Sequence, residues 1–330
     1  MNRRIKKIIS LITVLALVTT ILIPVTLNAE EKGLKQTHDS DWMSLIPDKT
    51  PLSTISIPGT HDSATFHSTL GYCTSCQDKS MYDQMLDGFR YIDARLELNE
   101  NKDGFIFTHG GFKCKESWWP WSDNITFHSF CEDAYKFLQQ NPTETIIVAI
   151  KAENSNDDVA TVEKLVLDEI DKNPDKWYTK NEIPNLGDVR GKIVLATRYD
   201  DALNVGDEKS GLHFCWEEQN NKEKAELPYA LSTINSTQNL WVQDRFKYKV
   251  NDKFEAFEDS LDNCLAGDNT FFINFLSLSG QNLVPHPKGN ADTLNAMFEK
   301  KELSPNTCYG VVVVDRGNSE LAEKIYNTNL

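Results

Sequence analysis

The chain is short of positive charge. It has 34 Lys and Arg residues against 49 Asp and Glu residues, which gives a formal net charge of −15 at pH 7. Proteins that bind nucleic acid neutralise phosphates with clustered Lys and Arg, so the deficit argues against a nucleic-acid partner. It also argues against long-range attraction to anionic lipid, which depends on basic segments beside the bilayer. Any membrane contact is therefore expected to be local, through apolar or aromatic side chains.

Three further absences narrow the classes of fold and function. No glycine-rich dinucleotide fingerprint follows an apolar run, which weakens the case for a doubly wound open sheet. No Gly-x-Ser-x-Gly elbow surrounds Ser63, so a serine hydrolase is not indicated. No second CxxC motif accompanies Cys73-x-x-Cys76, which favours a local disulfide or plain thiols over a zinc site. The seven cysteines are an odd number and leave at least one thiol unpaired in a monomer.

The N-terminus has the layout of a secretory signal peptide. Four basic residues stand among the first seven, an apolar run at 8–27 is interrupted by Pro24, and the small residue Ala29 marks a cleavage position. We therefore expect a signal peptide at residues 1–29, a mature domain at 30–330 and a secreted product. A retained membrane anchor is the alternative, because about 20 apolar residues suffice to span a bilayer.

Eight short apolar runs, rich in β-branched and aromatic residues, recur along the mature chain, and polar residues follow each one. Near-continuous runs of this kind indicate strands buried on both faces, as in parallel sheets covered by helices. The runs lie at 53–57, 89–93, 105–107, 145–150, 192–196, 240–242, 271–275 and 311–314.

Segments with helical periodicity separate several of these runs. Thr126 is placed to cap a helix whose apolar residues recur from Phe127 to Leu138 and which stops before Pro142. A second helix is predicted around 162–170, ending near Pro174. Strands alternating with helices over about 300 residues predict an α/β fold with a single (β/α)₈ barrel of the TIM type, distorted or incompletely covered by helices.

A barrel of this type carries its functional side chains at the C-terminal ends of its strands, on one rim. Two histidines and several cations follow the predicted strands, a combination that suits in-line cleavage of a phosphodiester. One imidazole takes the proton of an attacking hydroxyl, the other protonates the leaving oxygen, and the cations neutralise the phosphorus oxygens. The rim residues are His61, Asp62, Arg95, His109, Lys151, Arg198, Asp244, Phe246 and Asp315.

Seven segments resemble the bacterial phosphatidylinositol-specific phospholipases C in order and spacing, over roughly residue 42 to the C-terminus. The resemblance implies a distorted TIM barrel that cleaves phosphatidylinositol to diacylglycerol and a cyclic inositol phosphate, and often glycosylphosphatidylinositol (GPI) anchors as well. We also expect a monomer that contacts membrane surfaces transiently, with no nucleic-acid partner. The segments are 56–63 (SIPGTHDS), 93–95 (DAR), 109–110 (HG), 141–147 (NPTETII), 191–194 (GKIV), 242–244 (VQD) and 274–279 (NFLSLS).

The same resemblance implies a role for each residue of the reaction. His61 looks like the general base on the inositol 2-hydroxyl, oriented by Asp315. His109 looks like the general acid for the diacylglycerol oxygen, with Asp62 beside it. Arg95 resembles the phosphate-binding arginine that stands where metal-dependent relatives hold calcium, so no metal and no cofactor are expected.

Four residues match positions that bind the substrate headgroup in this family. Lys151, Arg198 and Asp244 match positions that contact inositol hydroxyls or help to hold the phosphate. Phe246 stands where the family usually has tyrosine, so its ring can still stack on inositol but the hydrogen bond of the hydroxyl is lost. A polyhydroxylated ring needs carboxylate acceptors, cationic donors and an aromatic face, which these residues supply.

Relatives expose tryptophans after the first and seventh strands, where this chain has none. An insertion after the third run instead contains the tryptophan cluster, Trp118, Trp119 and Trp121. Amphipathic tryptophans on the rim suit a bilayer interface, so we expect this cluster to contact membranes. The alternative is a packed loop core pinned by a Cys114–Cys131 disulfide.

Two other functions stay open at this point. One is a metal-dependent glycerophosphodiesterase or sphingomyelinase-D-like enzyme, which would need a pair of carboxylates where Asp93-x-Arg95 stands. The other is a non-catalytic binder of inositol lipids, whose expected loss of a catalytic residue the sequence does not show.

Overall fold

The structure, a computed structural model, describes residues 37–119, 121–282 and 285–330. The predicted signal peptide at 1–29 lies outside the described residues. Among the residues that are described, no helix is both long and apolar enough to cross a bilayer.

The strands form one curled sheet in which eight consecutive neighbours are parallel. The hydrogen-bonded order is β6-β7-β5-β2-β1-β12-β11-β10, and β9 then adds to β10 in antiparallel orientation. The ends of this path are not paired with each other in the described part of the chain, so the barrel is distorted, as predicted. The strands are β1 (Ile57–Thr60), β2 (Tyr91–Leu98), β3 (Phe105–His109), β4 (Phe112–Lys113), β5 (Ile146–Ala152), β6 (Trp177–Tyr178), β7 (Ile193–Thr197), β8 (Leu212–His213), β9 (Ala230–Thr233), β10 (Asn239–Gln243), β11 (Thr270–Phe275) and β12 (Val311–Val314).

Two of the predicted strands differ from the structure. The first run begins too early, because Leu52–Thr54 forms a 3₁₀ turn and β1 starts only at Ile57. The third run, β3, is not a barrel strand: it pairs antiparallel with β2, with Glu97 opposite Ile106. Only six residues, 99–104, connect β2 to β3, which permits a hairpin but not the long crossover that a parallel pair requires. The two-residue strand β6, which the run pattern missed, takes a place in the parallel order instead.

The helices cover the outer face of the sheet. The two predicted from periodicity are confirmed as α4 and α5, and Thr126 Oγ1 caps α4 by accepting a hydrogen bond of 3.0 Å from the backbone nitrogen of Ser129. The helices of the described residues are α1 (Thr37–Ser40), α2 (Gly71–Thr74), α3 (Met81–Leu86), α4 (Phe127–Gln140), α5 (Val159–Ile170), α6 (Leu186–Val189), α7 (Val250–Asp262), α8 (Pro287–Lys300) and α9 (Ser319–Tyr326).

The strands are apolar almost throughout because both of their faces are buried. Along β5, Ile147 and Ala149 belong to one buried cluster, and Ile146 and Val148 belong to the other, which includes α4. Space is tight at Gly59 in β1, where an added Cβ would lie 3.0 Å from the side chain of Tyr91. A side chain at that position would displace the strand that carries His61.

A buried ion pair ties the N-terminal segment to the barrel. Arg90 Nε lies 2.9 Å from Glu144 Oε2, and both side chains are fully buried. Arg90 also donates to the carbonyl oxygens of Asp39 and Ser40, and Glu144 accepts from the backbone nitrogen of Met43. Because each charge is buried, each depends on the other for its stability.

Candidate active site

The parallel strands deliver the predicted rim residues to one edge of the sheet. His61 follows β1, Arg95 lies in the last part of β2, and Lys151 lies near the end of β5. Arg198 follows β7. His109 reaches this edge in a different way, because it closes β3, which runs antiparallel back along the last part of β2. Since the C-terminal ends of parallel strands meet at one edge, residues far apart in sequence become neighbours, such as His61 and Asp315, which are 254 positions apart.

His61 is held on both sides of its ring. Its Nδ1 lies 2.7 Å from Asp315 Oδ1, while its Nε2 lies 2.9 Å from Arg95 Nη2 and 3.2 Å from Asp62 Oδ2. The guanidinium group can only donate, so the ring accepts at Nε2 when it bonds to Arg95. The backbone carbonyl of His61 accepts a hydrogen bond of 2.8 Å from Gln77, which fixes the position of the residue.

The charge on His61 is set by its carboxylate neighbours. Burial by itself disfavours the imidazolium form, but the charges of Asp315 and Asp62 outweigh burial and raise the pKa of His61 from 6.5 to about 9. Arg95 opposes them and lowers this pKa. The protonation of His61 therefore depends on the balance between two carboxylates and one guanidinium.

Arg95 is fixed by two buried carboxylates. Its Nε lies 2.9 Å from Asp62 Oδ1 and 3.2 Å from Asp93 Oδ2. Burial alone would lower the pKa of Arg95, but Asp62 and Asp93 raise it well above its usual value, so the side chain is a permanent cation. Burial alone would raise the pKa of Asp93, but Arg95 and Arg198 hold the pKa of that carboxyl well below its usual range.

Asp62 serves both histidines. The resemblance paired it with His109, but Asp62 Oδ2 lies 3.4 Å from His109 Nε2 and 3.2 Å from His61 Nε2. The sharing follows from the backbone, because Asp62 adopts a left-handed conformation with φ of 44° and its backbone nitrogen donates to Asp93. This turn directs the carboxylate into the space between the two rings, whose centroids are 6.3 Å apart.

The orientation of His109 is also defined. Its Nδ1 lies 2.9 Å from the carbonyl oxygen of Thr74, which can only accept, so Nδ1 carries the proton. His109 Nε2 therefore faces Asp62 and is the nitrogen that can exchange a proton with a substrate.

Lys151 and Arg198 extend the positive side of the rim. Lys151 Nζ lies 3.5 Å from Glu153 Oε2, and Arg198 Nη1 lies 3.4 Å from Asp93 Oδ1. The guanidinium carbon of Arg198 stacks 3.8 Å from the ring centroid of Trp216. Burial would raise the pKa of Glu153, but Arg95 and Lys151 lower it, so the rim alternates fixed positive and negative charges.

The two predicted residues after β10 lie at the edge of this network. The charge of Asp244 raises the pKa of Arg95, although less than Asp62, Asp93 and Glu153 do. The carbonyl oxygen of Phe246 accepts hydrogen bonds of 3.1 and 3.0 Å from the backbone nitrogens of Ser279 and Gly280. Its ring is partly exposed, and Lys247 Nζ lies 5.6 Å from the ring centroid.

Comparisons with known proteins agree with this arrangement. The family model described as "Phosphatidylinositol-specific phospholipase C, X domain" matches residues 49–199, the segment that carries both histidines, Arg95, Lys151 and Arg198. The chain is therefore similar to the phosphatidylinositol-specific phospholipases C, both by this family model and by the relatives and solved structures that match it.

Relatives of this phospholipase family match most of the chain. A "1-phosphatidylinositol phosphodiesterase" of Listeria monocytogenes is 28% identical over 323 residues, which cover 92% of this chain and 90% of the relative. The solved structure of the phosphatidylinositol-specific phospholipase C of Listeria monocytogenes has a TM-score of 0.68 at 25% identity and covers 88% of this chain and 99% of its own. A Staphylococcus aureus phospholipase C structure concerned with modulation of membrane binding has a TM-score of 0.72 at 24% identity, with 88% and 98% coverage.

Three residues of the phospholipase site received no role from the sequence. Asp93 orients Arg95 and Arg198, and Glu153 contacts Lys151 while its other oxygen accepts from the backbone nitrogen of Gly110. Their places at strand ends were signals that could have found them. Trp216 follows the two-residue strand β8 and stacks on Arg198, a contact that no local sequence pattern predicts.

The tryptophan cluster is exposed at the phospholipase rim. Trp118, Trp119 and Trp121 have 77%, 62% and 79% of their surface exposed, and Trp119 stacks on Trp121 at 5.4 Å. Cys114 and Cys131 are buried free thiols, so a loop core pinned by their disulfide is not what the structure shows. Trp118 and Trp119 line a groove of about 800 Å³ together with exposed Leu70 and Tyr72.

Proposed function

We propose that this chain is a secreted, metal-independent phosphatidylinositol phospholipase C that releases diacylglycerol and inositol 1,2-cyclic phosphate. The observation that carries the proposal is the convergence of Asp315, His61, Arg95, Asp62 and His109 on one rim. The relative from Listeria monocytogenes, named 1-phosphatidylinositol phosphodiesterase, supports the substrate class.

The chemistry of the proposed reaction follows from the ring contacts. With Nδ1 held by Asp315, His61 in its neutral form takes the proton of the inositol 2-hydroxyl at Nε2. The resulting oxygen bonds to phosphorus, the bond from phosphorus to the diacylglycerol oxygen breaks, and His109 Nε2 gives a proton to that oxygen. Arg95 lies 2.9 Å from His61 Nε2, so a phosphate bound to Arg95 is next to the base.

Asp62 is assigned to the protonated form of His109. A neutral imidazole cannot protonate the leaving oxygen, and the carboxylate 3.4 Å from Nε2 attracts the positive charge that the ring carries in this step. Lys151, Arg198 and Asp244 are assigned to the inositol hydroxyls, with Phe246 as a stacking surface.

The catalytic test compares wild type with His61→Ala and His109→Ala on phosphatidylinositol vesicles in EDTA, with cyclic inositol phosphate followed by phosphorus NMR. Each variant is expected to lose about 10²–10⁴-fold in rate, the usual contribution of one positioned proton-transfer group. Undiminished turnover in either variant would overturn the mechanism. Wild-type activity that EDTA abolishes would favour the metal-dependent phosphodiesterase, and binding of inositol lipid without turnover would favour the non-catalytic binder.

We further propose that the tryptophan cluster inserts into the bilayer interface. More than half of each indole is exposed, and no basic patch is needed for such an insertion. Replacing all three tryptophans with alanine should weaken vesicle binding while sparing hydrolysis of soluble inositol cyclic phosphate. A triple phenylalanine variant is the matched control and should retain part of the vesicle binding. Equal loss of activity on vesicles and on the soluble substrate in the alanine variant would contradict the proposal.

Three companion proposals complete this function. The same chemistry applies to GPI-anchored proteins, which share the inositol phosphodiester, and release of such a protein from washed cells tests the substrate. Secretion with cleavage after Ala29 is tested by N-terminal sequencing of the product in the culture medium. A monomer in solution is tested by light scattering.

A further inference from the structure

Cys76 lies against the active site, although neither proposed proton transfer uses it. Its side chain is buried, and its Sγ lies 3.9 Å from His109 Nδ1. Its backbone nitrogen donates to Thr65 Oγ1 at 3.0 Å, and its carbonyl oxygen accepts from the backbone nitrogen of Arg316 at 2.7 Å. The backbone of Cys76 is therefore fixed on both sides, and its thiol is buried, whereas Cys73 of the same CxxC motif is only partly buried.

The thiol completes a set of three different metal-binding atoms. One oxygen of Asp62, Sγ of Cys76 and one ring nitrogen of His109 all lie within 4.8 Å of one another. Carboxylate oxygen, thiolate sulfur and imidazole nitrogen are the ligands that Zn²⁺ accepts, and three protein ligands with one open position is a common arrangement. A second set joins Cys76 to His61 and Asp315, but there the contact of 2.7 Å between His61 Nδ1 and Asp315 Oδ1 already pairs two of the three groups.

Asp62 is the second observation that points to a ligand. Its carboxylate is fully buried, and neither of its oxygens has a hydrogen bond to the described residues; their neighbours stand at ion-pair distance only. Arg95 approaches Oδ1, which leaves Oδ2 as the oxygen on the side of His109. A buried carboxylate oxygen without a hydrogen bond is costly, and Oδ2, which Arg95 does not pair with, is the oxygen that a further cation could bond.

His109 is oriented as metal-binding histidines are. A ligating imidazole usually donates its second N–H to a carbonyl or carboxylate, which fixes the ring. The contact of 2.9 Å between His109 Nδ1 and the carbonyl oxygen of Thr74 supplies that support in the free protein. The neutral ring then presents the lone pair of Nε2 towards Asp62.

We propose that Asp62, Cys76 and His109 form a site for a thiophilic divalent cation such as Zn²⁺, and that its occupation inhibits the enzyme. On binding, the Cys76 S–H bond breaks, its proton goes to solvent, and a sulfur–metal bond forms. The bound cation occupies His109 and Asp62, so the leaving oxygen receives no proton. Inhibition rests on the proposed phospholipase function, whereas binding of the cation does not.

The burial of Cys76 explains why it would respond to metal rather than to oxidants. Burial and the charges of Asp315 and Asp62 raise the pKa of the thiol well above its usual value, so the thiol is a poor nucleophile in the free protein, and a bound metal has to displace its proton. The same carboxylates attract a dication, while Arg95 opposes it. The site is thus expected to prefer ions that bond strongly to sulfur over Mg²⁺ or Ca²⁺, which prefer oxygen ligands.

Cobalt binding to the purified chain tests the site without reference to activity. Co²⁺ should give thiolate-to-cobalt charge-transfer absorption in the near ultraviolet at one equivalent in the wild type. Cys76→Ser should lose this band, whereas Cys131→Ser, which removes a buried thiol on α4, should keep it. Absence of the band in the wild type, or its persistence in Cys76→Ser, would overturn the proposal; thermal unfolding checks that both variants fold.

Zinc inhibition tests the consequence on the same three proteins. Metal-free Cys76→Ser should cleave phosphatidylinositol like the wild type but need at least about tenfold more Zn²⁺ for half inhibition, because the loss of even an outer-shell partner of a metal typically costs about 10–100-fold in affinity. EDTA should restore the wild type fully. Equal zinc sensitivity of wild type and Cys76→Ser would refute the inhibitory role. A cobalt band in a wild type that cleaves no phosphatidylinositol would instead refute the proposed function and leave the site standing.

Discussion

Replacing Asp62 with asparagine tests the most specific feature of the site, the sharing of one carboxylate by two histidines. The substitution keeps the shape of the side chain and removes its charge. In the structure that charge lies 3.4 Å from His109 Nε2, 3.2 Å from His61 Nε2 and 2.9 Å from Arg95 Nε. We therefore expect effects on both proton transfers, but of different kinds.

The effect on leaving-group protonation sets the size of the rate loss. A unit charge about 4 Å from another contributes roughly 4 kcal/mol at an effective dielectric constant near 20. Since about 1.4 kcal/mol corresponds to a factor of ten, loss of the imidazolium stabilisation costs up to about 10³ in rate. A substrate with an acidic leaving group, such as a nitrophenyl inositol phosphate, needs little protonation and should lose much less.

The effect on the base appears in the pH profile. Asp62 is one of the two charges that raise the pKa of His61 to about 9, so Asp62→Asn should lower it. The alkaline rise in kcat/KM, which follows deprotonation of His61, should then begin at lower pH in the variant than in the wild type.

The assay measures kcat/KM for phosphatidylinositol and for the nitrophenyl substrate between pH 5 and about pH 10. Asp78→Asn is the matched control, because Asp78 is half-exposed and pairs with Arg316 outside the catalytic network. Equal losses on the two substrates would contradict the role of Asp62 at His109, and an unshifted pH profile would contradict its role at His61.

Three other variants test the site and the fold. The raised pKa of His61 stabilises the folded chain by roughly 3 kcal/mol below pH 6.5, and this stabilisation is lost as the pH rises through about 9. Urea titrations should therefore show that the difference in free energy of unfolding between wild type and His61→Ala shrinks between these pH values. A difference that stays constant with pH would contradict this prediction. Phe246→Tyr should lower KM about 2–10-fold by restoring one hydrogen bond, and an unchanged KM for soluble inositol cyclic phosphate would count against inositol stacking there. Glu144→Gln should lower the free energy of unfolding in urea by about 3–5 kcal/mol, because it leaves the buried charge of Arg90 unpaired. Replacing both residues with apolar ones should recover most of that loss. A small effect of the single substitution would contradict the stabilising role of the buried pair.

Local patterns predicted more of the barrel than of its connections. Runs such as 145–150 and 311–314 were recognised as strands because both faces of β5 and β12 are buried, which makes the sequence apolar throughout. The same criterion missed β6, since two residues are too few to form a pattern, and it placed β3 in the barrel, since a hairpin strand is equally apolar. Only the six-residue connection before β3 distinguishes a hairpin strand from a barrel strand here, and the pattern of apolar runs took no account of connection length.

The active site shows the same division between features that the sequence predicts and features that only packing creates. Position after a strand was enough to select His61, Arg95, Lys151 and Arg198, because every parallel strand delivers its C-terminal end to the same rim. Distances between side chains were not accessible, because they depend on strand register and on the left-handed turn at Asp62. The stacking of Trp216 on Arg198 joins segments whose proximity no periodicity encodes.

The sequence by itself determined the class of barrel, the residues on its rim and the pairing of His61 with Asp315, since each follows from hydrophobic pattern, strand-end position or resemblance. Only the tertiary structure decided that Asp62 lies between both histidines and that Cys76 stands beside His109. The physical reason is that such contacts join residues from different strands and loops at 3–4 Å, and they are created by packing rather than by local propensity. The proposed metal site can be recognised only in the tertiary structure, because in the sequence Cys76 is one half of a single CxxC motif that no second CxxC accompanies.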